Sequence, residues 1–549
     1  MSEKLEQNKL FFLPLGGSGE IGMNLNLYSY NDDWLMVDLG VSFHDQLGID
    51  VMMPNAQYIV ERKKKLSGLL LTHAHEDHIG AVPYLWDQLK CPIYATPFTA
   101  ELVRRKLDEA GIDYEGMLHE IPLGGKAKIG SFEIQMVSLT HSIPEPNGVV
   151  IRTPAGNIFH TGDWKIDLEP LVGEPINADE MKKIGDEGIL ALVCDSTNVF
   201  NEGTSGSEGD VRRNLMEVIK SYKKERIFVS CFASNLARIE TLAHIAKEVG
   251  RRVVLQGRSF GRITEVARAN GYLKDIPEFI SARQAMDMPA NKVLYVSSGS
   301  QGEQRAALTR MANNQMRDAK IEAGDVVIFS SRVIPGNEKR INILKNTLTR
   351  AGARVIAKHT QDIHVSGHPA RDELRQMYDW IRPQILVPVH GEFQHLVEHA
   401  KLGKKHGIKD VVVPENGTLI RLEKNNVDIV DEVPAGRLIK DGNALVSIDH
   451  PAVKERSRLA DNGVVSVSLT LGYENEVYRK PQIAICGIVS KGDLVANVSQ
   501  TVEDVLNEMS DRAKENISVV SDRITMEVKR CVREITEKKP MVLVHINRL

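Results

Sequence analysis

The stretch from Leu71 to Gly80, LTHAHEDHIG, sets three histidines and two acids within the six positions His73 to His78. A packed core does not explain them, because an imidazole or carboxylate buried without a partner costs free energy. A solvated loop tolerates them but gives no reason for them. The preceding run, LSGLLLT (66–72), is apolar like a buried strand, and a helical pattern follows from about Ile79 to Leu89. The cluster therefore stands where a strand hands over to a helix. In an extended loop His73 and His75 project to one side, since side chains alternate with period two. Asp77 and His78 fall at the turn into the helix and address a second point. This spacing predicts two metal ions side by side, unlike the paired histidines four apart on a metalloprotease helix.

Each ion needs more ligands, and strand ends supply them. His141 follows VSLT, Asp163 follows FHTG and His390 follows LVPV. Chemistry in layered α/β folds gathers on loops at such ends. The expected assignment puts His73, His75 and His141 on one ion and Asp77, His78 and His390 on the other, with Asp163 between them. Nitrogen and oxygen donors suit zinc, with manganese or magnesium as alternatives. Two ions about 3.5–4 Å apart clamp an in-line displacement at phosphorus. His160, inside the strand run NIFHTGD, reads as structural.

Around the cluster, the first third of the chain reads as short strands broken by glycine and Asn-Asp turns. From about Gly206 helices and strands alternate, which argues for a parallel sheet with helices on its faces. A helix, ARDELRQMYDWI, and a strand, ILVPVH, lead to His390. The segment from about Leu422 to Asp449 is polar and turn-rich and reads as a connector. A helical pattern from about Thr501 to Glu537 and the strand run PMVLVHINRL close the chain.

At 549 residues the chain is long enough for three or four domains. Its net charge of −4 offers no overall basic footprint for nucleic acid, although a local groove is compatible with it. Five scattered cysteines with no CxxC pair argue against a cysteine zinc site and fit a reducing, cytoplasmic setting. The charged N terminus, MSEKLEQNKL, lacks a signal-peptide pattern, and no long apolar run suggests a membrane span. Two motifs mislead. Gly17-x-Gly19-x-x-Gly22 fits a dinucleotide fingerprint, but a strand pattern, MNLNLYSY, follows where a helix is required. Cys194 lies on an apolar strand and reads as core, since a reactive thiol needs an electropositive setting.

These residues resemble the metallo-β-lactamase superfamily, whose HxHxDH signature THAHEDHIG matches. The long insertion after VCDSTN resembles the β-CASP domain of its nucleic-acid-processing branch. The set PLGGSGEIGMN, DSTN, FASN, SSRVIPGNE, HVSGH and PVHGE is similar to the bacterial ribonuclease J family. The resemblance implies an α/β fold: a metallo-β-lactamase αββα sandwich, an inserted β-CASP α/β domain and a small C-terminal α/β domain. The expected bounds are 1–205 and 366–425 for the sandwich, 206–365 for the insertion, 426–455 for a linker and 456–549 for the last domain.

The implied activity is metal-dependent hydrolysis of RNA, by 5′→3′ removal of nucleotides from 5′-monophosphate ends with some internal cleavage. Asp77, Asp195 and His368 take catalytic roles: His368 helps to protonate the leaving 3′ oxygen and Asp195 positions a histidine. Ser234 and the run His364, Val365, Ser366, Gly367 and His368 hold substrate phosphate. Gly48, Asp50 and Asp441 match positions where some members hold a structural calcium ion. The resemblance also implies single-stranded RNA as partner, a homodimer or homotetramer, and partners in an RNA-degradation complex. Basic clusters at Arg212-Arg213, Lys223-Lys224, Arg251-Arg252, Arg305 and Arg310 are candidates for tracking a single strand. Aromatic residues make up only 5%, so backbone gripping outweighs stacking.

Other classes compete. A small-molecule metallohydrolase shares the ligands but has no use for the insertion or HVSGH. A structural partner with degenerate chemistry is expected to lack ligands, and none of the seven is missing. A DNA-directed nuclease shares every feature, because nothing in the sequence reads a 2′-hydroxyl.

Overall fold

The computed structural model describes residues 5–43, 48–334, 336–357 and 362–549. Residues 1–4 of the charged N terminus and Pro335 of SSRVIPGNE lie outside them. Two compact units divide the chain. One takes residues up to Ser42 and Met52–Arg437, the other Phe43–Val51 and Leu438–Leu549.

The first unit is built on two sheets. One has eight strands, in the order Asp428–Glu432, Thr418–Leu422, Leu10–Gly16, Leu25–Tyr30, Asp33–Val37, Leu66–Leu70, Ile93–Ala95 and Leu118–Glu120. The other has seven: Lys126–Ile129, Phe132–Ser138, Asn147–Thr153, Gly156–His160, Ile189–Asp195, Ile385–Val389 and Asp410–Val411. Strand periodicity sorts their side chains into layers. Val149, Ile151, Ala191 and Val193 join Phe12, Tyr28, Leu35 and Leu70 in a core shared by both sheets. Val150, Leu192 and Cys194, one position away, pack with Met181, Leu374, Met377 and Leu402 of the covering helices. Cys194 is thus core, and burial pushes its thiol well above the usual range. Helix Pro97–Ala110 packs on the far strands of the first sheet. The result is the expected αββα sandwich.

The insertion leaves one strand of the second sheet and returns to its neighbour. Ile189–Asp195 and Ile385–Val389 are parallel, with Asp195 opposite Val389. Everything between them can be a separate domain without disturbing the sheet, and both strands end at the same rim. The insertion carries the expected parallel sheet, in the order Arg252–Gln256, Val293–Ser297, Ile227–Ser230, Val326–Phe329 and Arg354–Ile356.

Three local expectations change. The connector contains strands at Asp428–Glu432, Arg437–Asp441 and Ala444–Ser447, and the first pairs with Thr418–Leu422. Every residue of Asp428–Glu432 is exposed, so its sequence hides a sheet-edge strand. The helical pattern from Thr501 to Glu537 is three helices, Leu494–Glu508, Asp511–Lys514 and Ile517–Thr536. Ser510 and Asn516 interrupt it, because their side chains accept backbone N–H groups as N-caps. Helix Pro451–Asn462 begins before the expected start of the last domain at 456.

In the second unit Val464–Leu471 is the central strand, antiparallel to Val477–Cys486 and parallel to Met541–Arg548. Its alternating residues Val465, Val467, Leu469 and Leu471 pack with Val498, Val502, Ile524 and Val528 of two helices. Among the described residues, no helix of either unit is long and apolar enough to cross a membrane.

Candidate metal centre

The histidine cluster takes its shape from the strand-to-helix handover. Leu66–Leu70 ends the strand, and His75 is the extended N-cap residue of helix Glu76–Ile79. The helix start is clamped by the chain after strand Asp33–Val37. The Leu39 N–H donates to the His78 carbonyl at 2.7 Å, and the Val41 N–H to that of Glu76 at 3.0 Å. Gly40 permits this approach, since a Cβ there would stand 1.6 Å from the Asp77 oxygen.

The structure brings all seven expected ligands together. His73, His75, His141 and Asp163 form one group, and Asp77, His78, His390 and Asp163 form another. In the first, His75 Nδ1 stands 3.2 Å from His73 Nε2 and 3.0 Å from His141 Nε2. In the second, Asp77 Oδ2 stands 3.6 Å from His78 Nε2 and 3.7 Å from His390 Nε2. Asp163 Oδ2 serves both, at 3.8 Å from His73, 3.7 Å from His141, 3.3 Å from His78 and 3.6 Å from His390. A tetrahedron with metal–ligand bonds of about 2.1 Å has edges near 3.4 Å, so the donors are spaced as edges around two cations. Buried Asp163 Oδ1 and His390 Nε2 have no hydrogen-bond partner. Unpaired polar atoms at that depth are costly unless an ion satisfies them.

The far ring nitrogens are held as well. His78 Nδ1 meets Asp38 Oδ2 at 2.7 Å, and Thr72 donates to the same carboxylate from its N–H and its hydroxyl, both at 2.8 Å. The Thr72 hydroxyl is also 3.0 Å from His73 Nδ1. His390 Nδ1 donates to Asn24 Oδ1 at 2.9 Å, while the Asn24 amide donates to the Asp77 carbonyl at 3.0 Å. His141 Nδ1 donates to the Gly367 carbonyl at 2.5 Å. Such partners fix the tautomer and aim of a ligating imidazole. Asp38 and His390 adopt left-handed φ angles of 64° and 52°, a strain of about 1–3 kcal/mol each that surrounding contacts must hold.

Electrostatics separate the groups. Burial pushes His75 down to about 4 and lowers His73 and His141 well below the usual range, favouring neutral, ligating imidazoles. Burial also opposes charge on His78, but Asp163, Asp77 and Asp38 outweigh it and raise this histidine. Burial alone would raise the Asp163 carboxyl, and His390, His78 and His368 instead hold it well below its usual range.

His368 borders the centre. Its Nδ1 donates to Asp195 Oδ2 at 2.7 Å, and Asp195 Oδ1 accepts the Thr197 N–H at 2.8 Å. Burial works against charge on His368, yet Asp195 and Asp163 raise it to about 9. The Asn198 amide donates to Ser366 Oγ at 2.6 Å and to the His368 carbonyl at 2.9 Å. His364 is buried, and Val365 packs beside Gly206. Ser234 immediately precedes the N-cap Asn235 of helix Leu236–Glu248. Arg238 of that helix reaches the Ile363 carbonyl at 3.2 Å, linking the helix to the 364–368 run.

Other expected residues stand apart or have other work. Gly48 and Asp50 are exposed, and Asp441 is ion-paired with Arg456. His160 is structural in its contacts, with Nδ1 2.8 Å from the Tyr28 hydroxyl. Arg251 is buried and donates to the carbonyls of Tyr222, Glu225, Ala290 and Val293. Arg212 pairs with Glu240, and Arg213 with Glu169 and Asp210. Arg251 is committed within the protein, Arg212 is partly buried, and Arg213 is exposed with its charge offset by two surface acids. Gly17, Gly19 and Gly22 have φ of 84°, 87° and 96°, and no helix follows them. They form a turn whose Gly17 carbonyl accepts the His390 N–H at 2.6 Å, not a dinucleotide site.

Asp38, Asn24, Thr72 and Asn198 escaped the sequence reading. Asn24, Thr72 and Asn198 stand inside the quoted motifs without a role of their own, and Asp38 follows an apolar strand, as an acid ends the strand at Asp195.

The model described as "Beta-lactamase superfamily domain" matches residues 33–178, and "Zn-dependent metallo-hydrolase RNA specificity domain" matches 352–414. A solved structure of a protein of unknown function from Enterococcus faecalis shares the fold, with a TM-score of 0.51 and 16% identity over 75% of this chain and 100% of that one. Fold, donor set and these matches define a class, the divalent-metal-dependent hydrolases of metallo-β-lactamase architecture that act on RNA. "Ribonuclease J, beta-CASP domain" matches 224–348 and "Ribonuclease J C-terminal domain" matches 451–549. Ribonuclease J of Sinorhizobium meliloti is 40% identical over 99% of this chain and 98% of its own length. That of Thermus thermophilus is 33% identical over 98% and 95%, and Ribonuclease J2 of Bacillus subtilis 33% over 99% of each. The chain belongs to the ribonuclease J family and is a metal-dependent ribonuclease.

Proposed function

We propose that this ribonuclease degrades single-stranded RNA from its 5′ end, favours a 5′-monophosphate, and also cuts internally. One observation carries the reading: the Ser366–Gly367–His368 loop that offers phosphate-binding groups also holds the metal centre. Gly367 fixes His141, and His368 is paired with Asp195. A phosphate gripped by this loop is thereby placed beside the reacting bond.

In this reading His73, His75 and His141 hold one ion, Asp77, His78 and His390 the other, and Asp163 both. Zinc suits the imidazole-rich set. Two divalent ions there supply Lewis acidity and a nucleophile at neutral pH. The chain's own residues do the rest. Asp195 orients His368 through Nδ1, leaving Nε2 to deliver a proton to the departing 3′ oxygen. The Ser366 hydroxyl and the loop's N–H groups donate to phosphate oxygens, with His364, Val365 and Ser234 as further walls.

The expected division is a sandwich at 1–205 and 366–425, an insertion at 206–365 and a last domain expected from 456, whose first helix starts at Pro451. The parallel pairing of the strands flanking the insertion supports it. A cytoplasmic setting accords with the scattered, unpaired cysteines. A homodimer or homotetramer and degradation-complex partners rest on the resemblance.

The test compares one RNA bearing 5′-monophosphate, 5′-triphosphate or an internal block, with product ends mapped. Stepwise mononucleotide release, fastest from the monophosphate and stopping at the block, is expected. Internal cuts alone, with no stepwise release from any 5′ end, would refute the polarity.

A further inference from the structure

Three of the arginines that the insertion withdraws from full exposure are used differently. Arg238 is fully buried. It makes a two-pronged ion pair with Glu208, at 3.1 and 3.0 Å, and donates to the carbonyls of Ser330 and Ile363. Arg251 spends its guanidinium on four carbonyls. Although Arg238 Nε itself has no partner, both are struts tied to several acceptors within the protein. Arg332, in SSRVIPGNE, is not. It is half-buried, and its guanidinium donates to one side-chain acceptor, Asn198 Oδ1. Among the described residues no carboxylate lies within ion-pair distance of it. A guanidinium carries five N–H donors. Asp195, the carboxylate that acts on it electrostatically, is hydrogen-bonded to His368 and the Thr197 N–H.

The arrangement around Arg332 is built. Buried Gln301 donates to the Arg332 carbonyl at 2.8 Å and accepts the Ile334 N–H at 2.9 Å, fixing the backbone on both sides. Ser330, two residues earlier, donates to the Ile363 carbonyl at 2.7 Å and ties this strand end to the 363–368 run. Asn198 is the bridge. Its oxygen accepts from Arg332, and its nitrogen donates to Ser366 Oγ and the His368 carbonyl. One carboxamide thus separates the guanidinium from the loop proposed to hold substrate.

We propose that Arg332 is an anchor for an RNA phosphate, completing the Ser366–His368 loop with a positive charge whose planar fork matches two phosphate oxygens. Holding a desolvated cation short of partners is costly in the empty protein, and an arriving phosphate relieves that cost. The inference rests on the loop's proposed role in binding substrate, and it adds the group that supplies the charge. The phosphate is either the 5′-terminal one or one in the backbone.

The test measures kcat and KM for Arg332→Gln, Arg332→Lys and the parent protein on one oligoribonucleotide with either a 5′-monophosphate or a 5′-hydroxyl. Metal content and thermal unfolding are followed alongside. R332Q is expected to raise KM about 10- to 100-fold, the size of one lost charge-assisted contact, with kcat and metal content close to the parent's. R332K should fall between, since it keeps the charge but loses the fork. A loss confined to the monophosphate substrate assigns Arg332 to the terminal phosphate, and an equal loss on both assigns it to the backbone. Unchanged KM on both substrates overturns the proposal, as does a fall in kcat or metal content with KM intact, which marks a strut. The parent's own ratio between the two substrates tests the 5′-end reading separately, because a backbone anchor survives if that ratio is one.

Discussion

The two halves of the metal centre differ in charge, although they share Asp163. His73, His75 and His141 are imidazoles that burial drives toward neutrality, held from behind by a hydroxyl and a carbonyl. The other half adds Asp77, and Asp38 stands behind its His78. In the proposed assignment an ion in the first half would meet three neutral nitrogens and a shared carboxylate. An ion in the second would meet two nitrogens and two carboxylates, with a third acid one hydrogen bond away. Softer, imidazole-loving zinc suits the first, while the second also accommodates manganese. One rim can thus hold two cations without treating them alike.

The largest effect tests what the halves share. Asp163→Ala removes the common oxygen and should cut RNA hydrolysis by about 10³-fold or more, with elemental analysis finding less than one ion per chain. An unchanged ion count would sink the shared-ligand assignment. Removing one half at a time sharpens the contrast. His75→Ala should retain an ion that exchanges readily with manganese, and Asp77→Ala one that keeps zinc. Competition dialysis reads the difference, and identical preferences in both variants would erase the distinction.

Gly367→Ala attacks the neutral half from behind. The new Cβ would fall 2.6 Å from His141 Cε1, so the ring must move. Metal affinity there should fall about 10- to 100-fold, as when a group that orients a ligating imidazole is lost. Asn24→Ala should cost the acidic half a similar or smaller factor, because it frees His390 Nδ1 but removes none of the four ligands. Titration with a metal indicator should show only the manganese-accepting site weakened. Thr72→Val should be mildest. Its hydroxyl touches Asp38 and the His73 ring, and losing it should cost about 1 kcal/mol in thermal unfolding with both ions retained.

What could be read from the sequence follows the range of the forces involved. HxHxDH is local, and His141, Asp163 and His390 each follow an apolar strand run, so sequence alone pointed to the ligands. Asn24 was hidden because its role depends on a glycine turn carrying it to a histidine 366 positions away. Asp38 looked like any strand-ending acid until its partner was known. Arg251 read as part of a basic cluster, yet its neighbours are carbonyls that no sequence pattern reports. The strand at Asp428–Glu432 was missed because an exposed edge carries no apolar alternation. Ser510 and Asn516 fit the helical run as residues and interrupt it as caps.

The strand pair flanking the insertion has a consequence for how the protein is made. Ile385–Val389 and His390 emerge from a ribosome only after the whole insertion has been synthesised, and Thr418–Leu422, which pairs with the first strand, comes later still. A growing chain holds six of the seven ligands long before the sheet that aims them can close. The nuclease is therefore assembled last, when its own message has been read nearly to the end of the second catalytic segment.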